Sequence, residues 1–267
     1  MKKIMNLAAI FAAVAMTIAA CSKDETPAGN QGGNNTENTE NGGGNTENTC
    51  PDCGQDPCVC EPEYEAPVTI DGNFADWNAL TDATVATCIP DHVQSGLNVL
   101  KAYADEYYLY VMVEFDFDVI TDRAEDNGNP LMLCFSTTHE STFGGYDAWS
   151  DCCIEYMTAP HIFTGVDGTY KPYNGDGLYM WTGEAGQPGW SWESVLENTD
   201  AEGAGSDNKY ELAIMMDVLT TYMEFDGKIL LGAMIQQGWG KQGVLPHAEV
   251  TEENTAGAAP MMEVPIK

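Results

Sequence analysis

Tyr107-Tyr108-Leu109-Tyr110-Val111-Met112-Val113-Glu114-Phe115-Asp116-Phe117 is the stretch that decides the fold class. Tyr107, Leu109, Val111, Val113, Phe115 and Phe117 fall on one side of an extended chain. Tyr108, Tyr110, Met112, Glu114 and Asp116 fall on the other. Successive side chains point to opposite faces of a strand, so this period of two predicts a strand with one buried face. Just upstream, the segment from Leu97 predicts a hairpin partner, with Ala104-Asp105-Glu106 as the turn. Residues 131–135 and 153–157 are shorter β runs, and Tyr210, Leu212, Ile214, Met216 and Val218 alternate again. Residues 229–235 are apolar on both faces, as in a central strand. Val68 and Ile70 alternate before a turn at Asp71-Gly72. No long segment carries a helical apolar period. The expectation is an all-β domain over 68–267, an antiparallel β-sandwich of immunoglobulin or jelly-roll type. Its length of roughly 200 residues is enough for one sizeable core.

Ahead of this domain the sequence changes character. Lys2 and Lys3 precede an apolar run over 7–16, and Ile18-Ala19-Ala20-Cys21 closes it. Basic residues, a short apolar run and small residues before a cut predict a secretory signal over 1–20. The run is too short to cross a bilayer comfortably. Small residues directly before a cysteine resemble the lipobox of bacterial lipoproteins. That resemblance implies that Cys21 becomes the first mature residue and carries the lipid. Ser22-Lys23-Asp24-Glu25 resembles the export signal of surface lipoproteins in the Bacteroidetes, which implies a lipid-anchored, surface-exposed place on the outer membrane. Residues 21–67 then form the lipidated cysteine and a flexible linker. Thr-Glu-Asn recurs at 36–38, 39–41 and 46–48, with almost no apolar residue to bury. As a coil, this tether sets the domain roughly 35–40 Å from its anchor.

Nine cysteines need places. Cys50, Cys53, Cys58 and Cys60 interrupt the linker, close enough for a small zinc knot or two disulfides. An oxidising compartment favours disulfides or redox-variable thiols. Cys88, Cys134, Cys152 and Cys153 lie in the domain, and spacing alone does not pair them.

The chain holds 42 acidic and 10 basic residues, a net charge of −32. Cleavage before Cys21 removes Lys2 and Lys3 and no acid, leaving a charge near −34 (8 − 42). Such a surface repels phosphate backbones, which argues against nucleic acid. It is not drawn to anionic lipid either, so the acyl group must hold the chain at the membrane. Neutral ligands and divalent cations remain.

Three landmarks, in order, resemble the family 9-type carbohydrate-binding module and its DOMON-like relatives. Ile70-Asp71-Gly72 with Asp76-Trp77 is similar to the family's opening segment. Ala102-Tyr103-Ala104-Asp105 leading into Leu109-Tyr110-Val111 is similar to its turn and following strand. Glu211-Leu212-Ala213-Ile214 is similar to its late Glu-x-Ala-Ile strand, although Met215 stands where the family usually has proline. The resemblance spans roughly 68–260 and implies a β-sandwich that binds a glycan. It does not extend to 140–208, where ligand loops would sit.

A sugar presents flat C–H faces and a rim of hydroxyls, so a site for it needs flat aromatic faces and hydrogen-bonding side chains. Trp149, Trp181, Trp190, Trp192 and Trp239 lie in or beside Gly-rich segments, with Tyr146, Tyr170, Tyr173 and Tyr179 near them. The five indoles and Tyr173 are the candidate ligand-binding residues, expected to stand open to water. Trp190 and Trp192 would share one side of an extended chain. Trp77 is expected to be structural. Asp116, Asp118 and Asp122 are the candidate calcium ligands, with 126–129 and 174–176 as further acidic turns. No other cofactor is implied. His92, His139, His161 and His247 are scattered through the sequence, in neither an H-E-x-x-H nor a G-x-S-x-G context. No catalytic residue is assigned.

The expectation is therefore a surface-anchored lipoprotein that binds a glycan or oligosaccharide non-catalytically, with surface glycan-uptake proteins as neighbours. The alternative is a structural or adhesion module that binds another cell-surface protein. A hydrolase of unrecognised type ranks third, since nothing among the acids selects a catalytic pair.

Overall fold

The computed structural model describes residues 64–267, apart from 122, 124–130, 140–147, 152–153, 165–168, 172–176, 184–190, 200 and 238–239. In chain order the elements are α1 (Ala75–Ala79), β1 (Thr84–Thr87), β2 (Leu97–Ala104), β3 (Tyr108–Phe115), β4 (Leu131–Ser136), β5 (Tyr156–Thr158), β6 (Phe163–Thr164) and β7 (Thr169–Tyr170). They continue with β8 (Leu178–Trp181), β9 (Trp192–Leu196), β10 (Ala201–Ser206), β11 (Lys209–Met215), α2 (Met216–Tyr222), β12 (Lys228–Gln237), β13 (Gly240–Leu245) and β14 (Met262–Pro265).

Two antiparallel sheets make the sandwich. The first runs β1-β2-β3-β11-β10, and the second runs β13-β12-β4-β5-β8-β9, with β14 also on β12. β12 is apolar on both faces over 229–235 because it is central. β4 pairs along one edge, while β14 and β13 take successive halves of the other. The main core lies between the sheets. Leu109, Val111, Val113 and Phe115 of β3 meet Leu131, Leu133 and Phe135 of β4 and Ile229, Leu231 and Ile235 of β12 within it. These are the faces that the period of two assigns to the interior. The fold is thus an all-β sandwich, as the strand pattern predicts.

Both sheets are also buried on their outer faces. Tyr110 and Met112, expected to face solvent, lie under Val68 and Trp77 together with Ile70, Phe74 and Leu80. Val68 and Ile70 make no strand; Thr69 donates its N–H to Asp76 Oδ2 at 2.8 Å, and the segment drapes over the sheet. Alternation likewise overstates β11. The chain turns helical at Met216, so Val218 lies in α2. Met216, Leu219 and Met223 are buried at spacings of three and four, the apolar stripe of a helix.

Candidate functional site

Two of the three resembling landmarks, the opening segment and the Glu-x-Ala-Ile strand, meet at one side chain. Glu211, on the outer face of β11, has no exposed surface. Its Oε1 accepts the backbone N–H groups of Asp71 (3.0 Å) and Gly72 (2.7 Å), and its Oε2 accepts Trp77 Nε1–H at 2.8 Å. Burial raises the Glu211 carboxyl above its ordinary range, and these three donors pull the other way. Gly72 takes φ 81°, a conformation open to glycine. The opening motif and the Glu-x-Ala-Ile strand are therefore one structural lock, and Trp77 is structural as expected.

Three of the five candidate indoles depart from expectation. Trp149, Trp181 and Trp192 are 4%, 2% and 9% exposed, all within one apolar cluster on the outer face of the second sheet. Sulfur and aromatic side chains build that cluster across strands. Met132 pairs with Met234, Cys134 with Met157, and Trp181 with Trp192. The glycines beside these indoles make room for the rings. A Cβ at Gly232 would lie 2.2 Å from Trp149 Cζ2, and one at Gly183 would lie 2.2 Å from Trp181 Cζ2. These three residues are thus not open stacking faces. The Nε1 atoms of Trp149 and Trp181 are buried with no hydrogen-bond partner among the described residues. Trp190, Trp239 and Tyr173 lie outside the described residues, as do Tyr146, Asp122, Cys21, Cys152, Cys153 and the cysteines of the linker.

Among the described residues, the exposed large aromatic side chain lies at the β2–β3 turn. Tyr107 is 48% exposed. Asp105 fixes the turn, its Oδ1 accepting the N–H groups of Tyr107 and Tyr108 at 2.8 Å each. Tyr64, assigned to the linker by sequence, packs its ring on both tyrosines, with centroids 4.3 Å from Tyr107 and 5.9 Å from Tyr108. Its hydroxyl donates to Asp105 Oδ2 at 2.8 Å and lies 2.9 Å from the Tyr110 hydroxyl. Burial pushes the Tyr110 phenol up to about 12 and the Tyr64 phenol well above its ordinary value, so both stay neutral hydroxyls near neutral pH. The signal for this site was available: Tyr103, Tyr107, Tyr108 and Tyr110 crowd around one turn acid.

Asp116 Oδ1 accepts the N–H of Asp118 at 2.9 Å, and the Asp116 carbonyl accepts from Val119 and Ile120. The Asp116 carboxylate thus caps its own turn, and the expected third ligand, Asp122, lies outside the described residues. Among the described residues, no group of three or more His, Cys, Asp or Glu side chains is placed to hold a metal ion. Two histidines far apart in sequence come together: the rings of His92 and His247 stack with centroids 3.8 Å apart. His139 bonds Asp151 through Nδ1 and Glu263 through Nε2 (2.9 Å), so carboxylates take both ring nitrogens. No family model matches the chain, and no curated protein is detectably similar to it.

Proposed function

We propose that this chain is an outer-membrane lipoprotein, anchored through Cys21, that captures a glycan without cleaving it. The observation that carries the proposal is the tyrosine cluster at the β2–β3 turn. There the half-exposed Tyr107 and its neighbour Tyr108, against which the Tyr64 ring packs, stand beside a carboxylate, Asp105, and a buried hydroxyl, Tyr110. Ring faces stack on the C–H faces of a pyranose, while the carboxylate and hydroxyl read its rim. The lipobox-like segment, the acidic tether and the resemblance of the motifs around Glu211 support the same reading. The three buried indoles do not contribute to it.

Isothermal titration of the mature chain against a panel of polysaccharides, with calcium present, is the test. Binding of at least one glycan is expected, with affinity weakened about tenfold by Tyr107→Ala, the loss of one stacking face. The unfolding midpoint of that variant should stay close to that of the parent, since Tyr107 is half exposed. Absence of heat with every glycan removes the proposal.

A further inference from the structure

We propose that Tyr64 and Tyr107 form an oxidative coupling site, at which a one-electron oxidant joins the two phenol rings by a carbon–carbon bond. This inference stands apart from the glycan proposal and does not need it.

Ring distance singles out the pair. Oxidised phenols couple through the carbons beside their hydroxyls, so those ring edges must be able to meet. The Tyr64 and Tyr107 centroids lie 4.3 Å apart, with the planes at 44°. Carbon atoms touch at about 3.5–4.0 Å, so rings this close are in edge contact. The other paired tyrosine rings among the described residues stand further apart. Tyr170 and Tyr210 are at 5.6 Å, Tyr108 and Tyr110 at 5.7 Å, Tyr64 and Tyr108 at 5.9 Å, and Tyr103 and Tyr110 at 6.4 Å. Access points to the same pair. Tyr107 is 48% exposed and meets an oxidant from solvent, whereas Tyr110 and Tyr210 are buried.

The Tyr64 proton has an acceptor in place. A neutral phenol gives up its electron and its proton together, and the Tyr64 hydroxyl donates to Asp105 Oδ2 at 2.8 Å. The other oxygen of Asp105 accepts the N–H groups of Tyr107 and Tyr108, so the carboxylate is held facing Tyr64. A phenol carries one proton, and Asp105 takes it, so the Tyr110 hydroxyl, 2.9 Å away, donates to the Tyr64 oxygen.

The oxidant is hydrogen peroxide turned over by a haem peroxidase. Each phenol loses one electron and one proton, from Tyr64 by way of Asp105 and from Tyr107 to solvent. The two radicals share their electrons in one new carbon–carbon bond, and the two ring hydrogens displaced there move to the phenol oxygens. The peroxide takes up two electrons and two protons and leaves as two waters. The product ties residue 64 covalently to the β2–β3 turn and constrains the unfolded chain as a disulfide would.

The experiment treats the mature chain, at high dilution, with a haem peroxidase and hydrogen peroxide. It reads dityrosine fluorescence and maps the bond by trypsin and mass spectrometry. Trypsin cuts after Lys101, and Tyr64 is the sole tyrosine from residue 24 to 101. The proposal expects peptides 24–101 and 102–123 joined, with two hydrogens lost, through Tyr64 and Tyr107. Tyr64→Phe and Tyr107→Phe should each lose the joined species while keeping a ring in place, and Tyr108→Phe should retain it. Asp105→Asn keeps an oxygen for the N–H groups of the turn and should couple about tenfold more slowly. No joined peptides, joining between separate chains alone, or joining that survives Tyr107→Phe would overturn the pair. An equal yield from chain unfolded in urea would overturn the role of the fold in bringing the rings together. An unchanged rate in Asp105→Asn would overturn the part assigned to that carboxylate.

Discussion

Glu211 carries a carboxylate into a place with no exposed surface, and it is tolerated there because three N–H donors meet its two oxygens. Removing it strands those donors under the first sheet's outer cover. Glu211→Ala should therefore cost about 3 kcal/mol or more in urea unfolding. Glu211→Gln keeps one accepting oxygen but turns an NH2 group toward a donor, so it should lose about half as much. If both variants unfold at the parent's midpoint, Glu211 is not a lock. This side chain also marks how far single residues could be read. Its place in a Glu-x-Ala-Ile run was visible, but the donors it would meet lie about 140 positions earlier, and nothing local announces them. The indoles show the opposite failure. Glycine-rich surroundings suggested open loops, yet Gly232 and Gly183 lack side chains because Trp149 and Trp181 fill the space. A glycine beside a tryptophan signals close approach as readily as exposure.

Between the segments 88–95 and 246–258 the His92–His247 stack acts as an acid-sensitive latch. His92 Nδ1 accepts the Gln94 N–H at 3.1 Å, and His247 Nε2 accepts the Ile89 N–H at 2.8 Å, so both rings are needed neutral. Burial lowers both imidazoles, and the neighbouring His92 lowers His247 further, to about 4. Cys88, Asp91, Glu249, Glu252 and Glu253 lie on the same two segments and Lys241 on β13, and no carboxylate among the described residues hydrogen-bonds to either ring. Unfolded His247 titrates near 6.5. Between about 6.5 and 4 the unfolded chain therefore binds more protons than the folded one, and stability present above that window is lost as pH falls through it. The full shift corresponds to about 3 kcal/mol. Urea midpoints at pH 7, 6, 5 and 4.5 should fall less steeply for His247→Gln, which retains an acceptor for Ile89, than for the parent. Parallel profiles would show that the stack carries no linkage. Elements, unlike this contact, were largely legible. The hairpin of β2 and β3, the central β12 and the short β4 follow from period and composition. The misread ends have one cause: Met216 continues a period of two and also begins a stripe at 216, 219 and 223, and only the packing of α2 decides between them.

For the molecule as a whole, attachment is the property that charge allows to be tested most sharply. A chain of net charge −32 cannot be held at an anionic bilayer by its surface. Polar contacts with other surface components would weaken in salt, because the Debye length shrinks to about 3 Å at 1 M. An acyl anchor behaves differently: each buried CH2 contributes about 0.8 kcal/mol, and that term does not weaken with ionic strength. If Cys21 carries the lipid, washing outer membranes with 1 M salt leaves the chain in place and detergent releases it. Cys21→Ser then loses metabolic labelling by an alkyne fatty acid and keeps residues 1–20, because the cut and the acylation are both read from that cysteine. Release of the parent chain by salt, or continued labelling of Cys21→Ser, would refute the anchor.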